Sequence, residues 1–217
     1  FLVKEEKILL MALQGEDPEE MVRATKQIIN NCVVTPDFNL DELELYDLEY
    51  LLLQLRIISQ GETTKIKFKP IEGSSCPECA KPRVVEINLK EAKVEEGKNH
   101  SKKIQITDEI TFVMKYPTTK ILNTIELAKA SSSVEEVFGV IWMCVDHIAT
   151  TNSITKASEI SPEKGMEFLE SLSPAQFRKL QEFFETMPKV KQTLVVKCGL
   201  CPFEHDFELV GLESFFV

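Results

Sequence analysis

Two C-x-x-C pairs stand far apart in this chain: Cys76-Pro77-Glu78-Cys79 and Cys198-Gly199-Leu200-Cys201. Residues 80 through 197, 118 in all, separate them. Two such pairs are the ligand set of a four-cysteine zinc site, although the usual gap between pairs is about 15–20 residues. The flanks support the pairing. Thr64-Lys65-Ile66-Lys67-Phe68-Lys69 alternates apolar and polar residues before the first pair, and Arg83-Val84-Val85-Glu86-Ile87-Asn88-Leu89 follows it. Gln192-Thr193-Leu194-Val195-Val196-Lys197 precedes the second pair, and Phe203-Glu204-His205-Asp206-Phe207-Glu208-Leu209 follows it. Each pair therefore reads as the tip of a β-hairpin. Two facing tips would place Cys76, Cys79, Cys198 and Cys201 around one Zn2+, as in a zinc ribbon with a large insertion between its halves. Four thiolates leave no position for a catalytic water, so such a metal would be structural. A redox dithiol, a disulfide pair and coincidence are the alternatives. A thioredoxin-type C-x-x-C needs a strand-to-helix turn, which these flanks do not offer. Nothing in the sequence argues for the secretion that disulfides favour.

The remaining segments read largely as helix. There are 8 glycines and 10 prolines, together roughly 8% of the chain against an average of roughly 12%. Few turn residues suggest long regular elements. The second half of 1–14 carries a helical pattern ended by Gly15. Asp17 as N-cap, with Pro18 and Glu20, opens a second helix. A third runs from about Leu40 to Ser59, apolar on most faces from Tyr50 to Ile58, and reads as a central buried helix. Two strands are expected at Ile104–Ile106 and Ile110–Met114. A helix capped at Thr118 or Thr119 ends near Ala130. Another is capped by Ser133 with Glu136 and runs to about Ala149. Thr150–Ile160 reads as a loop. Ser161-Pro162 and Ser173-Pro174 open two further helices, with Gln176 completing a capping box and Pro188 stopping the second.

The fold class expected is therefore α+β: mostly helical, with a split zinc-ribbon-like β subdomain. Its parts would be an N-terminal helical region (1–62), the first zinc hairpin with further strands (63–117), a helical insertion (118–189), and the second hairpin with a tail (190–217), all in one compact unit. Cys32 continues the apolar face of Met21, Ala24 and Ile28, and Cys144 that of Val134, Val137 and Ile141, so both read as small core residues. His100 and His205 read as solvated surface, and His147 as a packed histidine on the 133–149 helix. At the C-terminus, Phe215-Phe216-Val217 reads as docking within the chain or into a partner groove.

Charge narrows the function classes. With 25 basic and 35 acidic side chains the net charge is −10, a poor basis for neutralising phosphates, so direct nucleic-acid binding is not expected. No apolar run approaches the roughly 18 residues that span a bilayer, so no membrane role is expected. The chain opens on Phe1 rather than Met, which reads as a start inside a longer gene product without a signal peptide. It carries no P-loop, G-x-G-x-x-G, H-E-x-x-H or G-x-S-x-G motif. None of the histidines joins a Ser or Cys in a recognisable catalytic pattern.

A set of short matches points further. Residues 1–12, Ile29-Asn30-Asn31-Cys32, Asp47-Leu48-Glu49-Tyr50-Leu51, Gln54-Leu55-Arg56 and Gly61-Glu62 resemble the T-even-type phage baseplate hub and hub-assembly proteins. So do Gln176-Phe177, Phe183-Phe184 and Met187-Pro188-Lys189, and the two C-x-x-C pairs fall where that family would have them. The resemblance implies a late, non-enzymatic protein that builds the central hub of a contractile tail, as a hub component or an assembly chaperone. It implies other baseplate hub or tail proteins as partners, and a place in the virion tail baseplate or in the host cytoplasm during assembly. No catalytic residue is carried over. The alternatives from the residues alone are a zinc-ribbon nucleic-acid-binding or transcription factor, and a thiol–disulfide enzyme. Lys81 and Arg83 beside Glu72 and Glu78, and Lys197 beside Glu204, Asp206 and Glu208, disfavour the first.

Overall fold

The computed structural model describes residues 2–15, 18–68, 76–121, 134–202 and 204–215. They form two compact units, each assembled from separate stretches of chain. The first is Phe1–Phe38, Tyr46–Glu95 and Lys189–Val217; the second is Asn39–Leu45 and Glu96–Pro188.

In the first unit, α1 (Val3–Gly15) and α2 (Pro18–Cys32) form a helical hairpin that buries Leu9, Ala12, Ala24, Ile28 and Ile29. Glu5 is buried among them, accepting hydrogen bonds from the Leu2 amide (2.7 Å) and the Asn31 side chain (3.3 Å). Next, α3 (Leu45–Gln60) buries Leu48, Leu52, Leu53 and Ile57. Its opposite side is open, with Ile58 82% exposed, so it is amphipathic rather than buried all round. Gly61, at φ 103, ends it by donating its amide to the Ile57 carbonyl at 3.0 Å, a left-handed position that glycine occupies without strain.

The first hairpin pairs β1 (Thr63–Phe68) with β2 (Arg83–Asn88), Thr63 opposite Asn88 and Phe68 opposite Arg83. The second pairs β8 (Lys189–Lys197) with β9 (Glu204–Val210), and the short β3 (Lys93–Glu95) adds to the other edge of β8. Alternation places Ile66, Ile87, Val190 and Leu209 in one core with Leu53, Ile57, Leu89, Ala92 and Phe215. The hairpins meet directly. Phe68 and Phe207 rings lie 4.6 Å apart, and the Gln192 amide donates to the Asn88 carbonyl at 3.1 Å. Phe215 is fully buried and Arg56 Nη1 donates to its carbonyl at 3.1 Å, so this part of the C-terminal segment packs on its own unit. Phe216 and Val217 lie outside the described residues.

The second unit is built on a four-stranded antiparallel sheet in the order β4 (Lys103–Gln105), β5 (Ile110–Met114), β6 (Val145–Thr150), β7 (Ile154–Lys156). With it go α4 (Val134–Met143), α5 (Pro162–Glu170) and α6 (Pro174–Thr186). Ser161 and Ser173 cap α5 and α6, the latter with the full capping box to Gln176. The Phe112 and Phe168 rings meet at a tilt 5.5 Å apart, and Phe138 stacks on Phe177 at 5.1 Å. Gly165 lets α5 approach the indole of Trp142 so closely that an added Cβ would sit 2.1 Å from it.

A mostly helical chain is the expectation this structure overturns. Among the described residues the fold is α+β, with the strands lying in antiparallel sheets of two, three and four. The helix expected to reach Ala149 stops at Met143, and Val145–Thr150 is a strand beside β5, with Phe112 opposite Ile148. Val145 and Ile148, three residues apart, fit the helical period; a register shift between Val113 and Met114 is what brings them opposite Met114 and Phe112 in the sheet. Part of the expected 150–160 loop is β7, and Lys93–Glu95 forms β3, where no strand was expected. Strands of three residues leave too short a pattern to read. The expected 118–130 helix falls mostly on residues outside the described ones, as do the Asp17 and Ser133 caps.

Candidate metal centre

Both C-x-x-C pairs occupy turns at the tips of the first unit's hairpins, one between β1 and β2 and the other between β8 and β9. In the first turn the Ala80 amide donates to the Cys76 carbonyl (3.0 Å) and the Lys81 amide to the Glu78 carbonyl (3.2 Å). That folds the backbone so that both sulfurs of the pair face one side. In the second, the Leu200 amide donates to Cys198 Sγ at 3.4 Å.

The structure brings all four sulfurs together. Cys76 and Cys198 Sγ are 3.7 Å apart, as are Cys79 and Cys201 Sγ, and the four lie within 4.8 Å of one another. A disulfide would need about 2.05 Å. Four sulfurs tetrahedrally placed about 2.3 Å from a cation have an edge of about 3.8 Å. The short contacts match that edge, and they run between the pairs. Cys79 is buried and the other three are half-buried. The cluster fits a soft or borderline divalent cation. Among the described residues no other group of three or more potential ligands is found.

The sulfurs are not equivalent. Burial, reinforced by neighbouring cysteines, pushes the Cys79 thiol up to about 12. The Leu200 amide, outweighing some burial, draws Cys198 down to about 6. Arg83, which the sequence reading weighed only for its charge, donates from Nη2 to Cys79 Sγ at 3.0 Å and from Nη1 to the Lys197 carbonyl at 3.3 Å. It thus ties the first turn to the end of β8. On the other side, Cys198 Sγ lies 3.5 Å from a Glu78 carboxylate oxygen. The only sequence hint to either residue was its place within or four residues beyond the first pair. Lys197 is paired with Glu204 at 3.0 Å, so Lys197 and Arg83 are both engaged internally.

The other candidates lie elsewhere. Cys144 is fully buried and its thiol is pushed up to about 12 by burial, and Cys32 is half-buried at the end of α2. His147 sits on β6 rather than on a helix, with Nδ1 2.7 Å from Asp146. His100 is not free surface. It is half-buried, with Nδ1 2.9 Å from Thr186 Oγ1, Nε2 3.0 Å from Tyr116 OH, and its ring 5.2 Å from Phe183. For His205 the strand position in β9 is described, not the side chain.

The family model described as T4 bacteriophage base plate protein matches residues 1–217. The chain belongs to this family. As a T4-type baseplate protein it is a component of a phage tail structure, and such a protein interacts with other tail or baseplate proteins. No curated protein and no solved structure matches it. Among the described residues no helix of this baseplate protein is long and apolar enough to cross a membrane.

Proposed function

We propose that this baseplate protein is a non-enzymatic structural or assembly component of the central hub of a contractile tail, and that Cys76, Cys79, Cys198 and Cys201 bind one structural Zn2+. The observation that carries the metal reading is the convergence of four sulfurs within 4.8 Å of one another, two of the contacts at 3.7 Å, from turns 122 residues apart in sequence. Thiolates are the ligands that soft and borderline cations favour, and tetrahedral four-sulfur geometry points to zinc or an iron–sulfur centre. Zinc fits one closed site without redox chemistry. It would act as a cross-link, holding the two hairpins as one surface for neighbouring tail proteins. The hub placement rests on the family and on the resemblance in residues 1–12 and along the helices. A nucleic-acid role is disfavoured by the net charge of −10 and by the pairing of Arg83 and Lys197 within the protein.

The test is complementation of a phage that lacks this protein. Supplying the wild-type chain should restore tails, and cross-linking should place it against proteins of the central hub. The variant with all four cysteines changed to Ser should bind no zinc and give defective baseplates. Full restoration of tails by that variant would remove the metal cross-link from the account. Cross-links confined to peripheral baseplate proteins would remove the hub role.

A further inference from the structure

We propose that the cleft beside β4 in the second unit is a docking groove for an extended, acidic segment of a neighbouring tail protein, which adds to the four-stranded sheet at its open edge. The cleft lies between residues 98–105 and α6 and has a volume of about 530 Å³. That is within the range of roughly 300–1,000 Å³ found for ligand clefts. The inference depends neither on the metal nor on the hub placement.

β5 pairs with one side of β4, and among the described residues no strand pairs with the other. The ladder to β5 uses alternate residues. The Met114 amide donates to the Lys102 carbonyl at 2.7 Å and the Ile106 amide to the Ile110 carbonyl at 2.9 Å, so the backbone groups of Lys103 and Gln105 point away from β5. Side chains hold them instead. Ser101 Oγ donates to the Lys103 carbonyl and accepts from the Lys103 amide, both at 3.1 Å. Lys179 Nζ, from α6, donates to the Gln105 carbonyl at 2.7 Å. Ser101 and Lys179 are both exposed, so rotating them aside opens the edge without moving the backbone. An incoming strand then replaces a few side-chain bonds with a main-chain ladder. The walls are already set. The Gly97 amide on the Thr186 carbonyl (2.8 Å) and His100 Nδ1 on Thr186 Oγ1 (2.9 Å) tie the near wall to α6, which keeps the ordering cost of docking low.

Charge selects the occupant. Lys98, Lys103 and Lys179 line the cleft, with Glu182 as the one acidic residue lining it, and all four are exposed. None of the three lysines is ion-paired among the described residues. In a chain of net charge −10 this is a local reversal of sign. Lysines on an edge strand ordinarily keep other strands away. A basic segment is repelled here, whereas an acidic one matches the ammonium groups, and Lys179, released from Gln105, gains a carboxylate partner. A second copy of this chain fits poorly, since β4 against β4 sets the same lysines against one another.

The experiment presents the full chain, at low salt, with overlapping short peptides that cover the tail and baseplate proteins of the phage encoding it. The peptides bound should be those of net negative charge, and binding should weaken as salt rises. Lys103→Glu and Lys179→Glu should each weaken it by about 10-fold or more, because each sets like charges together. Lys65→Glu, at an exposed position of β1 in the other unit, should leave it unchanged. An added strand bonds through alternate amides. Peptides N-methylated on one alternate set should therefore lose binding, and those methylated on the other set should keep it. Lys103 and Lys179 are exposed, and unchanged far-ultraviolet circular dichroism would show that their variants are folded. Binding of no peptide, preference for basic peptides, equal loss in Lys65→Glu, or the same response to both methylated sets would overturn the proposal. Self-association of the chain that Lys103→Glu abolishes would overturn it in favour of a second copy.

Discussion

The two units join distant stretches of chain by different chemistry. In the first, turns 122 residues apart converge on four sulfurs whose close contacts are polar and, without a cation, weakly bonded. In the second, the segment around His100 is joined to α6 by packing and ordinary hydrogen bonds. The Gly97 amide donates to the Thr186 carbonyl at 2.8 Å, and His100 and Phe183 each stack on Tyr116 and meet each other at a tilt. Thr186 Oγ1 gives its proton to the Glu182 carbonyl at 2.6 Å, so it accepts from His100 Nδ1–H, and Nε2 accepts from the Tyr116 hydroxyl. Every group in that cluster is satisfied by the protein. The cysteine cluster is completed only by something from outside. On this account, removing metal separates the units' stabilities, and mutating aromatic residues separates them the other way.

The largest effect follows from the cysteines. Cys76→Ser or Cys198→Ser should abolish zinc binding and remove stabilisation on the order of 10 kcal/mol. Hydrogen exchange should show the β1–β2 and β8–β9 amides opening while β5 and β6 stay protected. Equal loss of protection in both sheets would erase the contrast. Phe183→Ala is the complementary change. Phe183 is 2% exposed, and its truncation should cost about 3–5 kcal/mol with zinc stoichiometry unchanged. Gly165→Ala forces a methyl group against Trp142 and should cost about 1–3 kcal/mol or more, read as a lower thermal midpoint of the second unit.

The smallest effect is a pH dependence. Burial holds the His100 pKa below its ordinary value, with Glu96 opposing and Lys102 adding to the depression. The unfolded imidazole, at about 6.5, takes its proton first as pH falls. Stability is therefore full above that value and declines as pH falls towards the folded-state pKa. His100→Gln should flatten that decline in urea melts between neutral and mildly acidic pH. An unchanged slope would show that the decline has another source.

The sequence made the hairpin ends legible because strand alternation and paired cysteines are local signals that agree with each other. The caps at Ser161 and Ser173 were legible for the same reason, since each bond spans three residues. What it did not reveal depends on partners far along the chain. Val145–Thr150 became a strand because β5 and β7 flank it, and Lys93–Glu95 because β8 offers an edge. His100 read as solvated surface. Nothing local announced that Tyr116 and Thr186 would enclose it. Arg83 is similar: its charge was visible, but its aim at Cys79 depends on the β2 register that Phe68 and its neighbours impose.

X-ray absorption at the zinc edge on the purified, full chain addresses the central claim most directly. The account predicts about one zinc per chain with four sulfur neighbours at about 2.3 Å and no nitrogen or oxygen ligand. A metal-free chain with the four thiols free or oxidised to disulfides, or a zinc that keeps an oxygen ligand, would contradict it.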